Sequence, residues 1–412
     1  MTQTVARRSE RPDRSISSSA HALDLVRSAL GVAELLVEHV VEPTSTGPDA
    51  RDLTKEVGEV AMLLRLAQRV LADEGDRARI ATVAGRITEL ARSGDARNLM
   101  VLRPSRAAPH VLAHGCLQQI GCEDGRFDEI ARAALGASAA GANERVPYRL
   151  LDVAWIRHLL FGDGELHHLA TSLSPIGQGV DLVATTIDDA YAFSHALPYA
   201  TDFGRVPIPA WADPAWLSDT ADALVLKALD EDDLDLLGEL LMTPALVRAP
   251  WTSVQWFGWR VLCDTWSEHG FVPGPGLPPP VEGESAAERV RRVLGTVYHT
   301  TLVGGLAAAT LVACGWLPPE TPPGAASYDV QPVDPADRSR AWRRVWTSLE
   351  PAHRDVLGAV PAGLALHRAV NDVDVVAILA ALRQPGVESL PEPLVSQAAE
   401  LVGRMALLVG RA

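Results

Sequence analysis

The chain has 412 residues, of which 47% are hydrophobic and only 5% are aromatic. A chain of this length exceeds the size at which one hydrophobic core usually stops growing, so we expect either two domains or one repetitive architecture. The formal net charge of −15 disfavours binding to nucleic acid or to an anionic membrane surface. Because Ala, Leu and Val supply most of the apolar residues, the composition favours helices over sheets.

Residues 1–18 contain four arginines among Ser, Pro and Asp and no apolar run, which predicts a disordered tail rather than a signal peptide. The four cysteines form no C-x-x-C pair, a pattern typical of reduced thiols in a cytosolic protein. The longest apolar runs, 302–316 and 401–409, are shorter than the roughly 18–20 residues of a membrane span. We therefore expect a soluble, cytoplasmic, acidic protein.

From Ser19 onward, apolar residues recur at steps of three and four, which is the period of an amphipathic helix. The first three such stripes cover residues 23–40, 63–70 and 80–90. Clusters of Gly, Pro, Asp and Ser interrupt the pattern and predict short connections. By this criterion the chain contains roughly fifteen helices of about 10–20 residues.

Two Pro-rich stretches, residues 270–283 and 317–337, are predicted to be long loops. They enclose residues 286–316, which we expect to form a helical hairpin whose Gly304 and Gly305 permit close approach to a neighbouring helix. Consecutive helices with short connections pack as antiparallel hairpins. The expected fold is all-α: stacked antiparallel hairpins, toroid-like or irregularly superhelical, in one domain over residues 19–412. Residues 140–147 are the candidate boundary if that domain divides.

Several common active-site motifs are absent from the sequence: the P-loop, the G-x-G-x-x-G turn, the G-x-S-x-G elbow and H-E-x-x-H. The acidic run at residues 230–235 (DEDDLD) lacks the glycine of an EF-hand loop and is interpreted as an acidic helix start. A zinc-centred toroid, as in the lanthionine cyclases, would need two cysteines and a histidine as ligands. His114, Cys116 and Cys314 provide only fragments of that pattern, so we predict no metal and no cofactor.

Residues 188–202 form the strongest candidate site. On a helix at 100° per residue, one face collects Asp188, Tyr191, His195, Tyr199 and Asp202. A face of ionisable and phenolic groups is typical of a helix that lines a wet cavity. The structural alternative is a buried Tyr–His–Asp network that ties adjacent hairpins together.

Distances along this helix limit its chemistry. Asp188 and Asp202 would lie about 21 Å apart, which is too far for a paired-carboxylate mechanism. His195 would lie about 10 Å from either aspartate along the axis, so its side-chain partner is expected on another helix. Pro198 either lies inside the helix, where it frees the carbonyl of Ser194, or ends the helix.

The run HALPYATDFG, from His195 to Gly204, resembles the His…Tyr-x-Thr-Asp-Phe-Gly signature of an uncharacterised all-helical actinobacterial family. Members of that family are often encoded beside natural-product genes. The resemblance implies a helical-repeat fold and a role in bacterial specialised metabolism, but no particular reaction. This chain has Pro198 where the family carries an aromatic or aliphatic residue.

Other residues are also candidates for ligand binding. Trp256 and Trp259 share a helical face that could floor an aromatic pocket, although a Trp-rich core is the simpler interpretation. His299 begins a helix of small residues and is either a cavity residue or a buried polar group.

The leading hypothesis is an enzyme that acts on a small molecule or modified peptide in a helical cavity, with His195 as general acid or base. Tyr199 would orient His195 or the ligand, and Asp202 would set the local charge. The residues expected to contact the ligand are Asp188, Tyr191, His299, Trp256 and Trp259. The alternatives are a non-catalytic helical-repeat adaptor or binding protein and, third, a metal-dependent toroid cyclase.

Overall fold

The computed structural model describes residues 19–41, 53–137, 145–162, 164–274, 281–323 and 341–408. The regular secondary structure of these residues is helical and includes no β-strand, which confirms the all-α prediction. The predicted tail at residues 1–18, residues 140–144 of the candidate boundary, and residues 275–280 and 324–337 of the predicted loops lie outside the described residues.

Most of the helices follow one another with short connections, and the longer ones include those between residues 201 and 214, 269 and 286, and 314 and 341. Those of the first half are α1 (Ser19–Leu36), continued by a π-helical turn (Val37–Val41), α2 (Thr54–Val70), α3 (Glu74–Ala91), α4 (Gly94–Leu102), α5 (Ala107–Gln119), α6 (Gly125–Gly136), α7 (Pro147–Phe161), α8 (Gly164–Leu173), α9 (Pro175–Gln178) and α10 (Ile187–Thr201). Those of the second half are α11 (Pro214–Glu231), α12 (Leu234–Leu240), α13 (Thr243–Val247), α14 (Ser253–His269), α15 (Ala286–Cys314), α16 (Ala341–Ser348), α17 (Pro351–Asp355), α18 (Ala359–Asn371), α19 (Val375–Ala381) and α20 (Glu392–Leu408). Two 3₁₀ turns, Pro104–Arg106 and Val387–Ser389, complete the order.

Residues 286–314 form one helix, α15, so the hairpin predicted for residues 286–316 was wrong. Ser285 and Glu288 form a capping box that fixes the start of α15. The helix then runs for 29 residues and ends before Gly315, whose φ of 66° is left-handed. Between these signals no proline interrupts the run, and the glycines inside it are tolerated because packing stabilises the helix.

Helix α15 is the centre of the fold, and α1, α2 and α12 all pack against it. The contact with α1 is close because a Cβ at Gly305 would overlap the side chain of Ala29. This bears out the prediction of close helix approach at Gly305, whereas a Cβ at Gly304 would make only ordinary contacts with neighbouring side chains. Gly295, near the start of the same helix, is exposed and faces open space.

The buried apolar side chains form one continuous core that extends from α1 to α20. By length and composition α15 could cross a membrane, which the shorter runs in the sequence did not predict. However, 72% of its most apolar window is buried inside the protein, as in the core helix of a soluble protein. Closure of the helices into a toroid stays a prediction.

Candidate functional site

A cavity of about 80 Å³ lies along α10, where this helix faces α2, α12 and α15. Its polar lining residues are Glu59, Ser194, His195, Tyr199, Glu239 and His299, and its apolar ones are Met62, Pro198, Phe203, Met242, Leu302, Val303 and Leu306. The side chains of His195 and His299 are 25% and 30% exposed, so both imidazoles are in contact with solvent. The cavity therefore combines an accessible polar part with an apolar wall.

Two acceptors hold His195 at the cavity wall. Its Nδ1 lies 2.6 Å from the carbonyl oxygen of Tyr191 and 3.3 Å from Oε2 of Glu239. Because a carbonyl can only accept, Nδ1 carries the proton of the neutral ring and Nε2 carries the lone pair. Nε2 makes no hydrogen bond with any residue that the structure describes. The spacing along α10 predicted that the side-chain partner of His195 would come from another helix. Glu239, on α12, is that partner.

Glu239 is a buried carboxyl that supports the imidazole. Its Oε2 also accepts a hydrogen bond from the hydroxyl of Ser194. Burial raises the pKa of Glu239, while the nearby His195 opposes that rise. A carboxylate in this position orients the imidazole and stabilises its protonated form.

His299 bridges two carboxylates from different helices. Its Nδ1 lies 2.9 Å from Oε2 of Glu59, and its Nε2 lies 3.1 Å from Oδ2 of Asp235. Burial alone would lower the pKa of His299, but the hydrogen bonds with Asp235 and Glu59 outweigh it and raise that pKa to about 10. His299 is therefore an imidazolium at neutral pH, and both of its nitrogens act as donors.

The side chain of Tyr191 forms hydrogen bonds at the start of α12 and does not line the cavity. Its hydroxyl lies 3.2 Å from carboxylate oxygens of both Asp233 and Asp235. Asp233 is also the N-cap of α12 and accepts from the first-turn amides. The second part of the acidic run at residues 230–235 thus starts a helix, as the sequence indicated, whereas its first two residues end α11; Asp235 also supplies a carboxylate to His299.

Tyr199 lines the cavity and stacks on Trp155, with ring centroids 4.9 Å apart. Its ring lies 6.0 Å from that of His195, the i+4 neighbour expected from the helical spacing. Burial raises the pKa of Tyr199 well above its usual value, so the phenol stays protonated. Tyr199 can donate a hydrogen bond to a ligand but cannot act as a base near neutral pH.

Pro198 lies inside α10, which continues to Thr201, so the interior alternative is the correct one. Proline has no N–H, and the carbonyl of Ser194 therefore lacks its usual helical donor. Both residues line the cavity. The freed carbonyl is a hydrogen-bond acceptor close to His195.

The chain reverses after α10 through three residues with positive φ: Asp202 at 47°, Phe203 at 53° and Gly204 at 80°. The carboxylate of Asp202 accepts from Arg65 at 2.7 Å and from Nε1 of Trp155 at 2.8 Å. This buried pairing holds Asp202 away from the cavity, while Phe203 lines it. Left-handed conformations cost a non-glycine residue about 1–2 kcal/mol each, so the surrounding contacts must enforce this turn.

Gly204 cannot be replaced without movement of its neighbours, because a Cβ there would overlap Sγ of Cys314. Its positive φ is a second reason for glycine at this position. The turn therefore depends on Asp202 for anchoring and on Gly204 for close approach.

The cavity does not include every residue predicted for the site. Asp188 is exposed in the first turn of α10. Trp256 and Trp259 are buried core residues, and Nε1 of Trp256 donates to the carbonyl of Pro319. The structure thus places His195, Tyr199 and His299 at one cavity and Tyr191 beside it, whereas Asp188, Asp202, Trp256 and Trp259 do not line it.

Three carboxylates of the site were not predicted: Glu59, Asp235 and Glu239. The sequence signal for Glu239 was a single acid within the apolar run LLGELLM. A charged residue at such a position is buried and must find a partner. Nothing in the sequence indicated that the partners would be the two histidines.

Within the described residues, no group of three or more His, Cys, Asp or Glu side chains could hold a metal ion. His114, Cys116 and Cys314, which match fragments of a zinc-binding pattern in the sequence, do not form such a group. His114 is buried, with Nε2 2.7 Å from Oδ1 of Asp128, and its Nδ1 accepts from Nε of Arg92. These contacts occupy both ring nitrogens in a protein-only network.

Fold and site together define an all-helical protein with a small cavity lined by two histidines and by carboxylates that hold them. The chain belongs to the family described as "Domain of unknown function (DUF6895)", which matches residues 20–309. That range contains every residue that lines the cavity. No protein of curated function and no solved structure matches the chain.

Proposed function

We propose that the protein is an enzyme that acts on a small molecule, or on part of a modified peptide, held in this cavity, with His195 as general acid or base. The proposal rests on the hydrogen bonding of the two ring nitrogens of His195. Its Nδ1 is fixed by Tyr191 and Glu239, and its Nε2 is unbonded among the described residues at a solvent-accessible cavity wall.

In this mechanism Nε2 of His195 accepts a proton from an O–H or N–H group of the ligand and returns it to the product. The Glu239 carboxylate stabilises the imidazolium that forms in between. An imidazole suits this role because its ordinary pKa lies near neutrality.

The other groups would bind the ligand without exchanging protons. Tyr199 stays protonated because burial raises its pKa, so its phenol is a donor. His299 is held as a cation between Glu59 and Asp235, which occupy both of its ring nitrogens, so it contributes a fixed, fully paired part of the cavity wall. Met62, Met242 and the aliphatic side chains of α15 favour a ligand with an apolar part.

A role in actinobacterial specialised metabolism and a cytoplasmic location belong to the same proposal. Their support is the resemblance of residues 195–204 to a signature found beside natural-product genes, together with the small number of cysteines, which form no C-x-x-C pair.

The test compares the wild type with His195→Gln and with His168→Gln, an exposed histidine on α8 that serves as control. Each protein is incubated with a defined small-molecule library, and consumption is followed by mass spectrometry. Binding of any consumed compound is then measured by calorimetry. We expect His195→Gln to remain folded and to bind within about three-fold of wild type, but to lose about 10²–10⁴-fold in turnover. Turnover equal to that of the control would overturn the proposal.

The second candidate is a binding protein without turnover, which the apolar share of the cavity lining favours. The same experiment separates the two. Compounds that bind the wild type and both variants equally, with none consumed, would identify a binding protein.

A further inference from the structure

A second pocket lies next to the Asp202–Gly204 turn, and it is unusual for a chain with a net charge of −15. It has a volume of about 230 Å³ and is lined by Arg65, Gln68, Arg69, Gln119, Ile120 and Arg205. Three guanidinium groups therefore converge on one concavity. The arginines come from α2 and from the turn after α10, which are distant in sequence.

The positive charge of this arginine pocket is only partly compensated. Arg65 pairs with Asp202 at 2.7 Å, and Arg205 lies 3.8 Å from the same carboxylate. Arg69 has no carboxylate within ion-pair distance among the described residues, and its one hydrogen bond there goes to the carbonyl of Phe203 at 3.4 Å. The pocket thus contains three cations, and the Asp202 carboxylate beside it pairs with two of them.

The guanidinium groups of Arg65 and Arg205 are held in place before any ligand binds. Oε1 of Gln119 accepts from Nε of Arg65 at 2.6 Å and from Arg205 at 2.7 Å. Burial and repulsion from Arg205 both lower the pKa of Arg69, so the cations act against one another. An anion placed between Arg69 and Arg205 would relieve that repulsion, and guanidinium forks match the geometry of oxyanions.

We propose that the arginine pocket binds a phosphate-type oxyanion, either inorganic phosphate or the phosphate group of a small molecule. Arg69 and Arg205 would contact the anion directly, because Arg65 is committed to Asp202. This site is independent of proton transfer at His195. The rest of the protein is acidic and repels anions at long range, so recognition depends on the pocket itself.

The test uses the full chain and measures binding of inorganic phosphate and of glycerol phosphate by calorimetry at constant ionic strength. Acetate and chloride are the comparison anions. The variants are Arg69→Gln and Arg205→Gln, with Arg126→Gln as a control, because Arg126 is an exposed arginine outside the pocket. All three variants change the net charge by the same amount.

We expect saturable phosphate binding with a Kd on the order of 1 mM or tighter. It should weaken about ten-fold or more in Arg69→Gln and Arg205→Gln and stay within about two-fold of wild type in Arg126→Gln. Tighter binding of glycerol phosphate than of inorganic phosphate would identify a phosphorylated small molecule as the ligand. An absence of saturable binding, equal losses in all three variants, or acetate binding as tight as phosphate would each overturn the proposal.

Discussion

His299→Gln tests whether the bridging imidazole is a cation in the folded protein. In the folded protein the carboxylates of Glu59 and Asp235 raise the pKa of His299 to about 10, against an unfolded value of 6.5. A group whose folded-state pKa is raised contributes stability that is fully present below the unfolded pKa and is lost as pH rises through the folded one. The contribution of His299 is therefore complete at pH 6 and lost near pH 10.

The magnitude follows from the difference between the two pKa values. Each unit is worth about 1.4 kcal/mol, which gives an upper bound of about 5 kcal/mol. Because the side chain is 30% exposed, solvent screening reduces this, and we expect about 2–3 kcal/mol. The decrease in the free energy of unfolding caused by His299→Gln should therefore be about 2–3 kcal/mol larger at pH 6 than at pH 10.

The assay is urea unfolding of the wild type, His299→Gln and the control His168→Gln at several pH values from 6 to 10. In parallel, NMR of histidine-labelled protein follows the His299 ring signal, assigned by its loss in the variant. A His299 ring that titrates near 6.5, or a stability difference that does not change between pH 6 and 10, would refute the reasoning.

Three further predictions concern packing and the turn after α10, and each is checked by chemical unfolding. Asp202→Asn should lower the free energy of unfolding by about 3–5 kcal/mol, because it leaves the buried Arg65 without its counter-ion. A decrease of less than about 1 kcal/mol would contradict this. Gly305→Ala should cost about 1–3 kcal/mol through overlap with α1, whereas Gly295→Ala, on the exposed part of the same helix, should stabilise by up to about 1 kcal/mol. Equal effects of these two would argue against close packing. Gly204→Ala should cost about 2–4 kcal/mol, from positive φ and overlap together, and a neutral result would show that the turn can relax.

Local patterns in the sequence were sufficient to predict the helical class. Apolar steps of three and four, and caps such as Ser285 with Glu288, depend only on residues within one or two turns. The same locality explains the wrong hairpin at residues 286–316. The flanking Pro-rich stretches suggested a two-helix unit there, but the burial of α15 among other helices stabilises it as one helix through its full length.

The helical wheel of α10 was a partial guide to the cavity. It placed Tyr191, His195 and Tyr199 on one face, and two of these line the cavity. The wheel failed at Asp202, because the helix ends at Thr201 and the next residue adopts a left-handed conformation. A helical wheel assumes regular helix geometry throughout and therefore cannot show where the helix ends and the chain changes direction.

The sequence by itself determined which segments are helical and which side of α10 is polar, because both properties repeat within a few residues. Tertiary packing alone decided which groups meet: Glu239 with His195, Glu59 and Asp235 with His299, and the arginines of the second pocket with one another. Those partners lie on helices far apart along the chain. Their pairing depends on how α2, α10 and α12 are arranged around α15, which no local periodicity encodes.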